Sequence, residues 1–215
     1  VDEINFEAAE IAKKSTKNSK KEAFIAGSIG PTGEIIEPLG DLSKDKAEKA
    51  FLRQSLALKA GGVDFLWIET MSSEEEMEAA LLGAQRTNLP IVCSYSFDTH
   101  GRSMMGLEPA KLTDLTANFA PSVFGYGANC GIGASELIGS LICFKSYKSD
   151  QDMILIAKAN CGIPEFKEDK ITYNGTPEMM AKYARYAIDL GARIIGGCCG
   201  TTHLHIKAMS ESLKR

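Results

Sequence analysis

Short apolar runs rich in β-branched residues alternate with longer amphipathic segments along almost the whole chain, and this rhythm leaves few folds open. Strands are predicted at Ala23 to Ile29, Val63 to Glu69, Ile91 to Phe97, Val123 to Asn129, Met153 to Ala159 and Arg193 to Gly197. Helices are predicted between them, at Lys44 to Ala60, Ser73 to Arg86, Pro109 to Asn118, Ala134 to Tyr147 and Pro177 to Leu190. Two more flank the set, at Ile4 to Thr16 and His203 to Leu213. Punctuation agrees with the periodicity. Ser72 or Ser73 can cap the helix that opens on Glu74, Glu75 and Glu76, and Thr176-Pro177 supplies a cap followed by proline at the first helical position. Gly61-Gly62 and Gly191 end their helices just before the next strand.

Strict alternation of this kind implies a parallel sheet with right-handed crossovers, either an open doubly wound sheet or a (β/α)8 barrel. The unusual residues decide between them. Gly30-Pro31-Thr32-Gly33, Glu69-Thr70, Asp98, Asn129-Cys130, Asn160-Cys161 and Cys198-Cys199 each fall just beyond a predicted strand. Chemistry gathered from many strand ends onto one face is what a barrel provides, whereas an open sheet concentrates it at one switch point. The expected fold is therefore α/β, a (β/α)8 TIM-type barrel forming one domain over residues 1–215. Only six strands are found where such a barrel has eight, so the first two βα units are expected to be lacking. Open parallel edges would then invite aggregation or pairing with a second chain, and a homo-oligomer is an open expectation.

Bulk properties exclude some partners. The 215 residues are 44% hydrophobic and 24% charged, with a net charge of −4, and the basic residues are scattered. Nothing in this suggests nucleic acid. No apolar run is long enough for a bilayer, and no signal peptide is visible, so a cytoplasmic protein with reduced thiols is expected.

Of six cysteines, Cys130, Cys198 and Cys199 lie at strand ends within glycine-rich turns. Three thiolates from two strand ends could hold zinc with a fourth position open for substrate. Spacing alone is equally compatible with buried structural thiols, since free cysteine packs as a small hydrophobe. That second reading is adopted for Cys93, inside a strand, and for Cys143, inside a helix; Cys161 follows a strand and could line the pocket.

Four segments add a different kind of information: GSIGPTG (27–33), WIET (67–70), GANCG (127–131) and GGCCGT (196–201). In this order and spacing the chain resembles, over nearly its whole length, the homocysteine S-methyltransferase family. SFDTHGRSMMGLEP (96–109), GANCGIGASELI (127–138) and KANCGIPEF (158–166) look most like the short bacterial betaine–homocysteine methyltransferases. The homocysteine-binding barrels of cobalamin-dependent methionine synthases share much of the pattern, more usually with alanine where this chain has Cys161. The resemblance implies Zn2+ on Cys130, Cys198 and Cys199, Glu69 receiving the homocysteine ammonium, and Asn129 beside it at the substrate. Glu69 shares side-chain parity with Phe65 and Trp67, which should point into the barrel. Thr70 stands where longer animal betaine enzymes carry a tyrosine that can complete the resting zinc shell.

The implied reaction is zinc-dependent methyl transfer from glycine betaine to homocysteine, giving methionine and dimethylglycine. No side-chain general base is required, because the metal lowers the pKa of a thiol that is otherwise mostly protonated. His100, His203 and His205 are left without a catalytic role, with His203 read as a solvent-facing helix start. Trp67, Tyr95, Phe97 and Tyr126 could offer aromatic faces to a quaternary ammonium, though barrel packing accounts for each, and Arg102 could meet a donor carboxylate but reads more simply as an exposed loop arginine. Two alternatives stand beside this reading. One is another donor, such as a methylcobalamin/methyltetrahydrofolate system or S-methylmethionine; the other is an inactive, incomplete barrel fragment whose thiols or zinc are purely structural.

Overall fold

A computed structural model describes residues 1–147 and 152–214. Helix α1 (Asp2–Thr16) leads into β1 (Ala26–Ile29), α2 (Lys44–Gly61), β2 (Phe65–Met71), α3 (Glu74–Gln85), β3 (Ile91–Tyr95) and α4 (Pro109–Ala117). There follow β4 (Val123–Cys130), α5 (Ala134–Ser146), β5 (Ile154–Ala159), β6 (Glu165–Lys167), β7 (Lys170–Thr172), α6 (Pro177–Asp189), β8 (Ala192–Gly197) and α7 (His203–Ser212). Local chemistry sets the helix ends. Ser43, Ser73 and Thr176 each accept a hydrogen bond from a backbone N–H in the first turn of their helix, and Gly62 closes α2 in the left-handed region at φ 89°.

Six strands form one parallel sheet in the order β1-β2-β3-β4-β5-β8. Every crossover steps to the next position in the same direction, so right-handed connections lay all the helices on one face and the sheet curls as part of a barrel. Burial along β2 shows the two faces: Leu66 and Ile68 are fully buried against the helices, while Phe65, Trp67 and Glu69 are half-buried on the inner face. Strands β1 and β8 are the sheet's edges, each with a single neighbour among the described residues.

Three sequence expectations need correction. The first strand begins at Ala26 rather than Ala23. An antiparallel hairpin, β6 with β7, interrupts the βα rhythm after β5; its turn runs through Glu168 and Asp169, both at positive φ (49° and 59°). Turns of that type usually announce themselves with Asn-Gly, which this one lacks. Cys143 is exposed on α5 rather than packed in the core, because the helix turns Leu141 and Phe144 inward and leaves 142 and 143 outside.

The aromatics also divide. Phe65 and Phe124 meet on the inner face with ring centroids 6.0 Å apart, but Tyr126 packs outward on Phe144 of α5 at 5.4 Å. A register shift opposite Ile91 and Val92 puts an extra residue into β4 and reverses its alternation there. Tyr95 and Phe97 belong to the same outer cluster, which leaves Trp67 as the inner-face member of the four aromatics considered above.

Beyond that bulge the strands approach so closely at Gly127 that a Cβ would lie 2.0 Å from the Ile156 carbonyl oxygen. Gly127→Ala must push β4 and β5 apart just below the Asn129-Cys130 turn. We expect a loss of about 3 kcal/mol or more, measured by urea unfolding, and an unchanged midpoint would contradict the packing described.

Candidate metal centre and substrate pocket

Three sulfurs from two strand ends converge. The Sγ atoms of Cys130, Cys198 and Cys199 all lie within 4.8 Å of one another, with Cys198 and Cys199 4.0 Å apart. Cys130 takes a left-handed backbone (φ 61°) followed by Gly131 at φ 71°, which turns its thiol away from the run of β4. The pair after β8 is shaped by tight backbone bonds, with Cys198 N–H donating to Ala159 O (2.8 Å) and Thr201 N–H to Cys198 O (3.1 Å). Gly200, at φ 77°, lies under the ring of Tyr173, where a Cβ would come within 2.3 Å of that ring.

Asn160 fastens the two turns together. Its Nδ2 donates to Gly131 O (2.8 Å) and its Oδ1 accepts from Cys199 N–H (3.0 Å). This buried amide, noted at a strand end but given no role from the sequence, therefore sets the distance between the lone cysteine and the pair. The only available signal was an asparagine at a strand end preceding Cys161. Cys161 itself is buried, lies 3.2 Å from Thr201 Oγ1, and stands beside the cluster rather than in it.

The thiols perturb one another. Sharing a hydrogen bond with Cys198 and lying half-buried both raise the pKa of Cys130. The same hydrogen bond lowers that of Cys198, and the positive charge of Lys158 lowers it further. The cluster thus favours a thiolate at Cys198, as a cation-binding sulfur site requires.

Next to the sulfurs, Glu69 lies on the inner face as its parity predicts. Ser28 Oγ donates to Glu69 Oε1 (2.7 Å), and Lys158 Nζ pairs with Glu69 Oε2 while lying 5.0 Å from the Trp67 ring centroid. Asn129 is 1% exposed, and its amide is engaged within the protein. Its Oδ1 accepts from Thr70 N–H (2.8 Å) and Ser94 Oγ (2.6 Å), while Nδ2 donates to Thr70 Oγ1 (2.7 Å). These bonds hold Thr70, a β-branched residue, at φ 66°, a conformation it would not choose alone.

Other candidates lie elsewhere. Arg102 pairs with Glu108 and donates to Gly106 O (3.2 Å), in an exposed loop. His203 is exposed at the start of α7. His205 is buried, with Nδ1 accepting from Thr202 N–H (3.0 Å) and Nε2 lying 3.2 Å from Gly175 O, so it closes the helix cap. Glu76, also buried, accepts from Thr32 N–H (2.7 Å) and Thr32 Oγ1 (2.6 Å) and so anchors the Gly-Pro-Thr-Gly loop.

A family model for homocysteine S-methyltransferase matches residues 1–213. The chain belongs to that family. Membership makes it a methyltransferase acting on homocysteine. Among solved structures it is similar to the homocysteine methyltransferase MmuM from Escherichia coli. The apo form gives a TM-score of 0.78 at 22% identity, over 98% of this chain and 73% of that one. The metallated form gives 0.73 at 23% identity, over 98% and 70%. A dihydrodipicolinate synthase from Bacteroides thetaiotaomicron is more distant, with a TM-score of 0.52 at 14% identity over 99% of this chain and 59% of that one. At these identities the likeness concerns the fold. Among the described residues no helix is long and apolar enough to cross a bilayer.

Proposed function

We propose that this homocysteine S-methyltransferase is zinc-dependent, with Cys130, Cys198 and Cys199 as the ligands, and that its methyl donor is glycine betaine. The observation that carries the metal reading is the convergence of three sulfurs within 4.8 Å. Tetrahedral zinc with Zn–S bonds near 2.3 Å requires sulfurs about 3.8 Å apart, so small side-chain adjustments suffice. A metallated form of the E. coli relative is in keeping with this.

Zinc held there would supply the charge that keeps a substrate thiol deprotonated and nucleophilic at neutral pH. The protein's own groups do the rest. Glu69, braced by Ser28, receives the homocysteine ammonium and fixes which way the amino acid enters. Asn129 shapes the pocket floor through its grip on Thr70, at the substrate's side of Cys130. In the transfer, the homocysteine sulfur pair forms the new S–CH3 bond as the C–N bond of betaine breaks. The nitrogen keeps that electron pair, leaving dimethylglycine, and the thiol proton goes to solvent.

The donor rests on the resemblance of segments 96–109, 127–138 and 158–166 to short bacterial betaine enzymes. Of the four aromatics considered for the donor, Trp67 faces inward, with Lys158 Nζ 5.0 Å from its ring centroid, and Arg102, tied to Glu108, does not bear on the choice. Incubation with homocysteine and betaine is expected to yield methionine and dimethylglycine in equal amounts. Methionine from S-methylmethionine or methylcobalamin but not from betaine would overturn the donor. No methionine from any of the three, with zinc bound, would favour a structural metal.

A further inference from the structure

Lysine inside an apolar strand needs a reason. Lys158 lies in the run Ile-Leu-Ile-Ala-Lys-Ala of β5, on the inner face, where an uncompensated charge would be costly. Its pair with Glu69 differs from the protein's other ion pairs: the two side chains are 23% and 13% exposed. Each other pair among the described residues has at least one member more than half exposed. Such surface pairs contribute little, whereas a sheltered pair must be matched charge for charge.

Its position is equally specific. In register Lys158 stands opposite Asn129 on β4 and Gly196 on β8, one residue short of Cys130 and two short of Cys198. Its stem passes Gly196, where no side chain crowds it; even an added Cβ would sit 3.8 Å from Lys158 Cγ. The ammonium group can therefore leave Glu69 while staying on the inner face beside it.

We infer that Lys158 binds the α-carboxylate of the amino acid whose ammonium goes to Glu69, so that the two residues together read the zwitterionic head of the substrate. The inference rests on the role proposed above for Glu69 and adds the second half of the recognition. An α-amino acid carries both charges on one carbon. A ligand that displaces Lys158 from Glu69 therefore brings a carboxylate to the displaced Nζ. One internal ion pair is exchanged for two intermolecular ones, and neither sheltered charge is left alone. A thiol with an amine but no carboxylate would strand Lys158, and the site should reject it.

Calorimetric titration of the zinc-loaded protein with homocysteine and with 3-aminopropane-1-thiol, its decarboxylated analogue, tests this without any turnover. Wild type should prefer homocysteine by roughly 30-fold or more. In Lys158→Met that preference should fall to within about threefold, mostly through weaker homocysteine binding. Lys158→Arg, which keeps the charge, should retain most of it. A Lys158→Met protein that is folded, holds zinc and keeps the wild-type preference would overturn the role of Lys158 alone. Wild-type protein that holds zinc but binds neither thiol would overturn the homocysteine pocket and this inference together.

Discussion

Cys130→Ala and Cys198→Ala are each expected to take zinc from about one ion per chain to near zero after purification, and methionine formation with it. Either change leaves two thiols where three now lie within 4.8 Å, and no other described residue stands ready to replace the lost sulfur. Cys161 follows the same strand end as Asn160, but it is buried with its sulfur 3.2 Å from Thr201 Oγ1 and lies outside the three-sulfur group. Cys143→Ala, at an exposed helix position, serves as the control and should change neither metal content nor rate. Because the ligands bind zinc as thiolates, bound zinc should also be shed as the pH falls, protons replacing the metal on sulfur. Zinc retained at wild-type levels in both alanine variants would remove the proposed centre.

Asn129→Ala is expected to have a large effect on both stability and the site. It removes three hydrogen bonds and leaves Thr70 N–H and the Ser94 hydroxyl without their partner in a buried site. Unpaired buried donors cost about 1–3 kcal/mol each, so a total loss of roughly 3–5 kcal/mol is expected in urea unfolding. The left-handed Thr70 would relax at the same time, moving Glu69 immediately before it and the Cys130 turn across the strand. Homocysteine affinity should therefore fall even where the variant still folds. Asn129→Asp tests the division of labour: it keeps the acceptor for Thr70 N–H and Ser94 and loses the donor to Thr70 Oγ1. A variant of either kind with unchanged stability would contradict the network.

Much of this was legible in the sequence for identifiable reasons. The βα rhythm is a local property, and the six strands of the parallel sheet follow it; Ser73, Thr176 and Gly62 perform the terminating roles their types suggest. Parity along β2 correctly sent Phe65, Trp67 and Glu69 inward, because that strand keeps its alternation up to Ile68. The same reasoning could not orient Tyr126. The bulge in β4 shifts parity by one residue, and nothing in Val123 to Cys130 announces it except two glycines. The hairpin from Glu165 to Thr172 was missed for a similar reason, since Glu-Asp is an unusual pair to place at positive φ. Lys158 had a signal, a charge at an inward position of an apolar strand, but its meaning depended on Glu69 arriving from a strand 89 residues away.

What the sequence determined by itself was the sheet, its winding and the strand ends at which chemistry would gather, because period, caps and glycine turns act within a few residues. Tertiary structure alone decided which of those ends meet. The spacing of Cys130 from the Cys198-Cys199 pair is set by the Asn160 bridge, and the charge facing Glu69 by the register of β4, β5 and β8. Those distances depend on how strongly the sheet curls and where it bulges, a sum of many packing contacts that no single stretch of residues encodes.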